Sequence, residues 1–108
     1  MIPSGDDFIA TIKFKTPHEG GRNKPIASGY WPQLKFHFTE KQSGGRQTFI
    51  NKGLVHPGES EKASVKILSP HFFERSLKEG VEFEIREGTT IVGTGVIENI
   101  LNPNLLSD

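Results

Sequence analysis

The chain has 108 residues, 13 Lys+Arg balanced by 13 Asp+Glu, and no cysteine. One domain of this size buries about two thirds of its unfolded surface, and the missing thiols exclude disulfides, thiolate metal sites and a cysteine nucleophile. Zero formal charge argues against indiscriminate nucleic-acid binding, whose affinity comes mostly from phosphate neutralisation, while leaving a local basic patch open. Twelve glycines, seven prolines and eight phenylalanines suit short strands joined by tight turns, and no long window repeats apolar residues at helical spacing. No apolar run is long enough to cross a bilayer. Met1 to Gly5 leads into Asp6 and Asp7, unlike the basic and then apolar layout of a signal peptide. The expected location is the cytoplasm, which a chain without cysteine fits.

In chain order, Phe8, Ala10, Ile12 and Phe14 alternate with Thr11, Lys13 and Lys15, the mark of a half-buried strand. Residues 16–23 form a loop broken by Pro17 and the pair Gly20-Gly21, and Pro25 and Ile26 open a short extended segment. Leu34, Phe36 and Phe38 face inward from the next strand. Ser43-Gly-Gly-Arg46 reads as a turn, with residues 47–51 returning as its hairpin partner. After the turn His56-Pro-Gly-Glu59, Ala63, Val65 and Ile67 line another strand. Residues 70–78 read as a loop with one short helical turn at most. Val81, Phe83 and Ile85 alternate with Glu82, Glu84 and Arg86. Beyond the Glu87-Gly88 turn, residues 91–101 make a long strand whose Gly93 and Gly95 mark a bend or a close backbone approach. Residues 102–108 are expected to fray. Six or seven short strands and no helical segment point to a closed barrel or a sandwich.

Two ordered blocks narrow the choice. Glu19-Gly-Gly-Arg-Asn-Lys-Pro-Ile-Ala-Ser-Gly-Tyr-Trp-Pro-Gln33 resembles the pattern E-G-G-R-x-x-P-x-x-x-G-Y-R-P-Q of the third, C-terminal domain of bacterial elongation factor Tu. His56-Pro-Gly-Glu59, Phe83-Glu-Ile-Arg-Glu-Gly88 and Val92-Gly-Thr-Gly-Val96 resemble that family's P-G-D/E turn and its F-x-I-R-E-G-x-x-x-V-G-x-G-V run. The resemblance covers roughly residues 8–101 and implies an all-β fold, a small six-stranded antiparallel closed β-barrel. The parent domain docks on a GTPase domain, touches the T stem of aminoacyl-tRNA and meets the nucleotide-exchange factor. This sequence has no G-x-x-x-x-G-K-[ST] phosphate loop, so the expectation is such a barrel standing without the GTPase, binding no GTP, cofactor or metal, associated with no membrane, and not an enzyme.

Carried over residue by residue, the resemblance puts Arg22 at the RNA, where its guanidinium fork suits a phosphate oxygen. Asn23 stands where the family usually has histidine. Gln33 matches the glutamine of the P-Q pair, and Gly88 matches a backbone position close to the RNA. The departures remove cations: Trp31 replaces the usual arginine, Ser69 a basic residue, and Thr89-Thr90 the pair Gly-Arg. Losing two or three phosphate contacts weakens RNA binding substantially.

Alternative readings accompany these positions. Gly20-Gly21-Arg22 could cradle an anion on consecutive N–H groups or be a turn with a solvated arginine. Tyr30 and Trp31, near Arg22 and Lys24, could stack a base, form a structural corner, or mark a protein-contact hot spot. His18, His37, His56 and His71 show no metal-ligand spacing, and His56 belongs to its turn. Glu82, Glu84, Arg86 and Glu87 read as outer-face charges in cross-strand ion pairs rather than catalytic carboxylates. The leading expectation is a protein-interaction module related to the translation machinery, using Arg22, Asn23, Lys24, Tyr30, Trp31, Gln33 and Gly88. The alternative is an RNA-binding accessory domain that keeps partial contact with the tRNA T stem.

Overall fold

The alternation of apolar and polar residues is realised strand by strand in a computed structural model, which describes residues 5–107. Met1 to Ser4, on which part of the signal-peptide reading falls, and Asp108 lie outside the described residues. The strands are β1 (Phe8–Phe14), β2 (Ile26–Ala27), β3 (Gln33–Phe36), β4 (Gln42–Phe49), β5 (Leu54–Val55), β6 (Ser60–Ile67), β7 (Glu82–Glu87) and β8 (Thr90–Ile100). Six of them close a barrel in the order β1-β6-β4-β3-β7-β8, with β2 and β5 paired as a separate ribbon. Every pairing between these strands is antiparallel, and β8 pairs back onto β1. Closure leaves no long unpaired edge. The expected all-β, six-stranded antiparallel closed barrel is therefore the fold observed.

The inward residues meet at the barrel axis. Phe8, Ala10 and Ile12 of β1, Leu34 and Phe36 of β3, Ala63 and Val65 of β6, and Ile85 of β7 are wholly buried. Phe36 centres an aromatic cluster, with ring centres 4.9 Å from Phe73, 5.5 Å from Phe83 and 6.2 Å from Phe8, all edge-on. Such pairs add about 0.5–1.5 kcal/mol each beyond the apolar area they hide. Phe14 makes similar contacts with Phe49 and Tyr30 at the other end of β1.

Glycine supplies the room these rings need. A Cβ on Gly95 would stand 2.2 Å from Cζ of Phe83, its register partner on β7. The expected close approach inside the long strand is this contact. The pair Gly44-Gly45 corrects the reading of Ser43 to Arg46 as a turn, because all four residues lie inside β4. A Cβ on Gly45 would meet Leu34 Cδ1 at 2.4 Å, and one on Gly44 would meet Trp31 Nε1 at 2.8 Å. The glycines admit side chains against the strand rather than bend it, and residues 37–41 make the reversal. That reversal also corrects Phe38: β3 ends at Phe36, and Phe38 turns out to 45% exposure, stacked on Phe36.

Residues 70–78 behave as expected, with a single 3-10 turn over Pro70–Phe73. Residues 102–107 do not fray. Asn102 caps a 3-10 turn over Pro103–Leu105, and Leu105 is buried. The Leu77 N–H donates to the Leu105 carbonyl at 2.8 Å, and the Ser107 N–H donates to the Leu77 carbonyl at 2.8 Å. Asp7 holds the approach to this turn: its carboxylate accepts from the Ile67 N–H at 2.6 Å and from Asn102 Nδ2 at 2.9 Å. Its carbonyl accepts from the N–H groups of Leu101 and Asn102.

Two substitutions test these contacts by urea unfolding. Gly95→Ala forces a methyl into the Phe83 ring and should lower stability by about 1–3 kcal/mol. Leu105→Ala should cost about 2–5 kcal/mol, whereas a frayed tail would leave the midpoint unchanged.

Candidate binding surface

The loop that delivers Arg22 is built by local capping. Thr16 and Glu19 form a reciprocal capping box around the 3-10 turn Pro17–Glu19, and Gly20 follows in the left-handed region at φ 95°. The Gly20 N–H donates to the Pro17 carbonyl and the Gly21 N–H to the Thr16 carbonyl. Both groups are thus spent within the turn, so the anion-cradling reading of Gly20-Gly21-Arg22 is corrected: the loop offers no nest from them.

Arg22 is not a solvated cation either. Its guanidinium pairs with Glu87 at the end of β7, Nη1 to Oε2 at 2.5 Å. The Tyr30 hydroxyl donates to the same carboxylate oxygen, and the guanidinium carbon lies 5.2 Å from the centre of the Tyr30 ring. Tyr30 in turn packs on Phe14 of the core. The Glu87 hydrogen bond strengthens the hold of Arg22 on its proton. Burial, then the hydrogen bond to Glu87, lifts the Tyr30 phenol well above its ordinary range. For Glu87 itself, burial raises the carboxyl, but the hydrogen bonds from Tyr30 and Arg22 outweigh it and hold it below 4.5.

This arrangement also corrects the expected cross-strand ion pairs. Arg86 pairs with Glu84 two residues away on the same strand, at 2.5 Å, and Glu87 reaches a loop arginine instead. Adjacent to Glu87, Gly88 opens a two-residue hairpin turn with φ 62°, a geometry that needs no Cβ. Asn23 and Lys24 are exposed on the loop beyond Arg22.

Trp31 and Gln33 lie on a neighbouring part of the barrel wall. The Tyr30 carbonyl accepts from the Gln47 N–H of β4, and the Pro32 carbonyl accepts from the Gly45 N–H. These bonds fix Trp31 over Gly44, where it is 51% exposed. Leu68, just past β6, is 63% exposed and approaches Gly44 too. Gln33 is exposed and stands opposite Gly44 in the register.

The structure therefore brings Arg22 and Tyr30 together through Glu87, beside Gly88, and gathers Trp31 and Gln33 around Gly44. Two participants were missed in the sequence. Glu87 was read only as one of the outer-face strand charges and not as the partner of Arg22; Leu68 carries no sequence signal. Among the described residues, no three His, Asp or Glu side chains group as metal ligands. A recess of about 470 Å³ is lined by Lys35, His37, Glu82, Phe83, Glu84 and Thr94, none of them among the seven expected site residues.

The lowered Glu87 carboxyl makes a pH prediction. The folded state favours its ionised form, so its contribution is present above pH 4.5 and is lost as pH falls through the folded value. Thermal unfolding of wild type and Glu87→Gln should show wild type the more stable near neutrality, with the gap closing on acidification. A gap that stays constant or widens toward low pH would contradict this pairing.

The closed six-stranded barrel and the two motif blocks agree with a family match. The family model described as elongation factor Tu C-terminal domain matches residues 1–101, and the chain belongs to that family.

Proposed function

We propose that this chain is a non-catalytic, cytoplasmic binding module whose partner is a protein docking around Trp31. Membership of the family makes it a translation-related domain in general terms. The observation that carries the finer reading is the pairing of a half-exposed Trp31 with a neutralised Arg22. A large aromatic side chain presented on a rigid wall is the residue type that anchors protein contacts. A phosphate arriving at Arg22 has to compete with a carboxylate already bonded to it, which disfavours RNA at this corner. The tRNA reading keeps one point of support, the proximity of Arg22 to Gly88.

Capture from lysate by the immobilised chain, with bound proteins and RNA both identified, tests the two readings. Trp31→Ala should reduce recovery of the specific protein partner by about tenfold or more while the circular dichroism spectrum is unchanged. Wild type should give no salt-sensitive tRNA shift. Protein recovery indifferent to Trp31→Ala, with tRNA binding lost in Arg22→Ala, would reverse the order of the two readings.

A further inference from the structure

The outer wall formed by β4 and β6 has a charge pattern that the zero net charge conceals. Arg46 and Lys66 are register partners on these strands. Both belong to the outward set, since the inward positions beside them are taken by Gly45, Gln47, Val65 and Ile67. Lys62 lies outward further along β6. The outward positions of β4 from residue 44 to 48 and of β6 from residue 60 to 68 carry these cations and no carboxylate. Lys66 donates to the neutral Gly5 carbonyl at 3.2 Å and makes no ion pair among the described residues. Arg46 leans on Asp6 at 3.4 Å, a buried carboxylate that also accepts from Ser64 at 2.7 Å. Lys62 meets Glu98 of β8 at 3.4 Å. On β7, by contrast, Glu82 and Glu84 face outward with only Arg86 between them and the strand end.

The basic stripe runs into the apolar pair. Gly44 lies two residues from Arg46 on the same strand face, about 7 Å away. Trp31 and Leu68 both approach Gly44, which is itself buried and whose missing side chain makes room for the indole. Because the barrel is closed, a partner cannot add a strand here and must dock through side chains.

We propose that this surface takes an acidic polypeptide segment carrying an apolar anchor residue. The anchor sits against Trp31 and Leu68, and a carboxylate of the segment meets Lys66, since Arg46 and Lys62 already have carboxylate partners. The inference rests on the reading of Trp31 as a protein contact and adds the chemistry of the partner. Aliphatic Leu68 beside the indole favours a polypeptide over a nucleic acid, because it offers neither a stacking plane nor a phosphate donor. Opposed charges steer the encounter and set the register, and the apolar pair supplies the affinity.

Fluorescence anisotropy tests the proposal with three labelled probes: a Glu-rich peptide of about ten residues with a central Leu-Phe pair, the same peptide with Ser-Ser at its centre, and an oligouridylate of matched charge. The Leu-Phe peptide should bind about tenfold tighter than either other probe and weaken as salt is raised. Trp31→Ala and Lys66→Glu should each cost it about tenfold. If Trp31→Ala weakens binding and Lys66→Glu does not, the Trp31 surface stands and the acidic partner is wrong. If neither variant matters, or no probe binds, both ideas fall. Tightest binding by the oligouridylate would overturn the proposal in favour of nucleic acid. Concentration-dependent dimers in sedimentation, lost in Trp31→Ala, would overturn it in favour of a second copy of the chain.

Discussion

Closure of the barrel depends on the long strand β8, which must pair with β7 along one side and β1 along the other. To do so it passes directly over the aromatic centre, and the Phe83 ring occupies the volume that a side chain at position 95 would need. The gap left by one residue type is filled by the bulk of another. Interiors packed to crystal-like density tolerate no looser solution without voids. With β8 seated, the inward rings of Phe8, Phe36 and Phe83 meet edge to edge, and the outward faces become a rigid platform.

The platform is tied to its long loop by the contacts at Glu87. Tyr30 is half in the core and half in the ion pair, so the Arg22 loop is anchored to the barrel through a ring that also packs on Phe14. One carboxylate oxygen of Glu87 accepts from both the guanidinium and the phenol, while Arg22 Nε is buried with no hydrogen-bond partner among the described residues. It gives Arg22 a structural occupation at the position where the family resemblance implies an RNA contact. The same corner thus ties the loop to the barrel through Glu87.

Charge is segregated around a barrel whose total is zero. Cations collect on the wall of β4 and β6, and carboxylates on β7. The apolar side chains most exposed to solvent include Trp31 and Leu68, at the end of the basic wall. Short-range features of this kind decide what docks on a surface, because screening removes the influence of charges more than about 10 Å away.

The sequence alone determined the strands that bury alternate residues and the family, because alternation and ordered motifs are properties of neighbours along the chain. Phe8 to Phe14, Ala63 to Ile67 and Val81 to Ile85 show their inward faces without any knowledge of what they face. Other features were decided only by the tertiary structure. Whether Arg22 is solvated depended on Glu87, 65 residues away. Whether residues 102–107 are held depended on Asp7, 95 residues from Asn102. Whether Gly44-Gly45 turns or runs straight depended on where Trp31 and Leu34 lie once β3 is paired. A local pattern records what a residue prefers, and only the closed barrel establishes which distant group it meets.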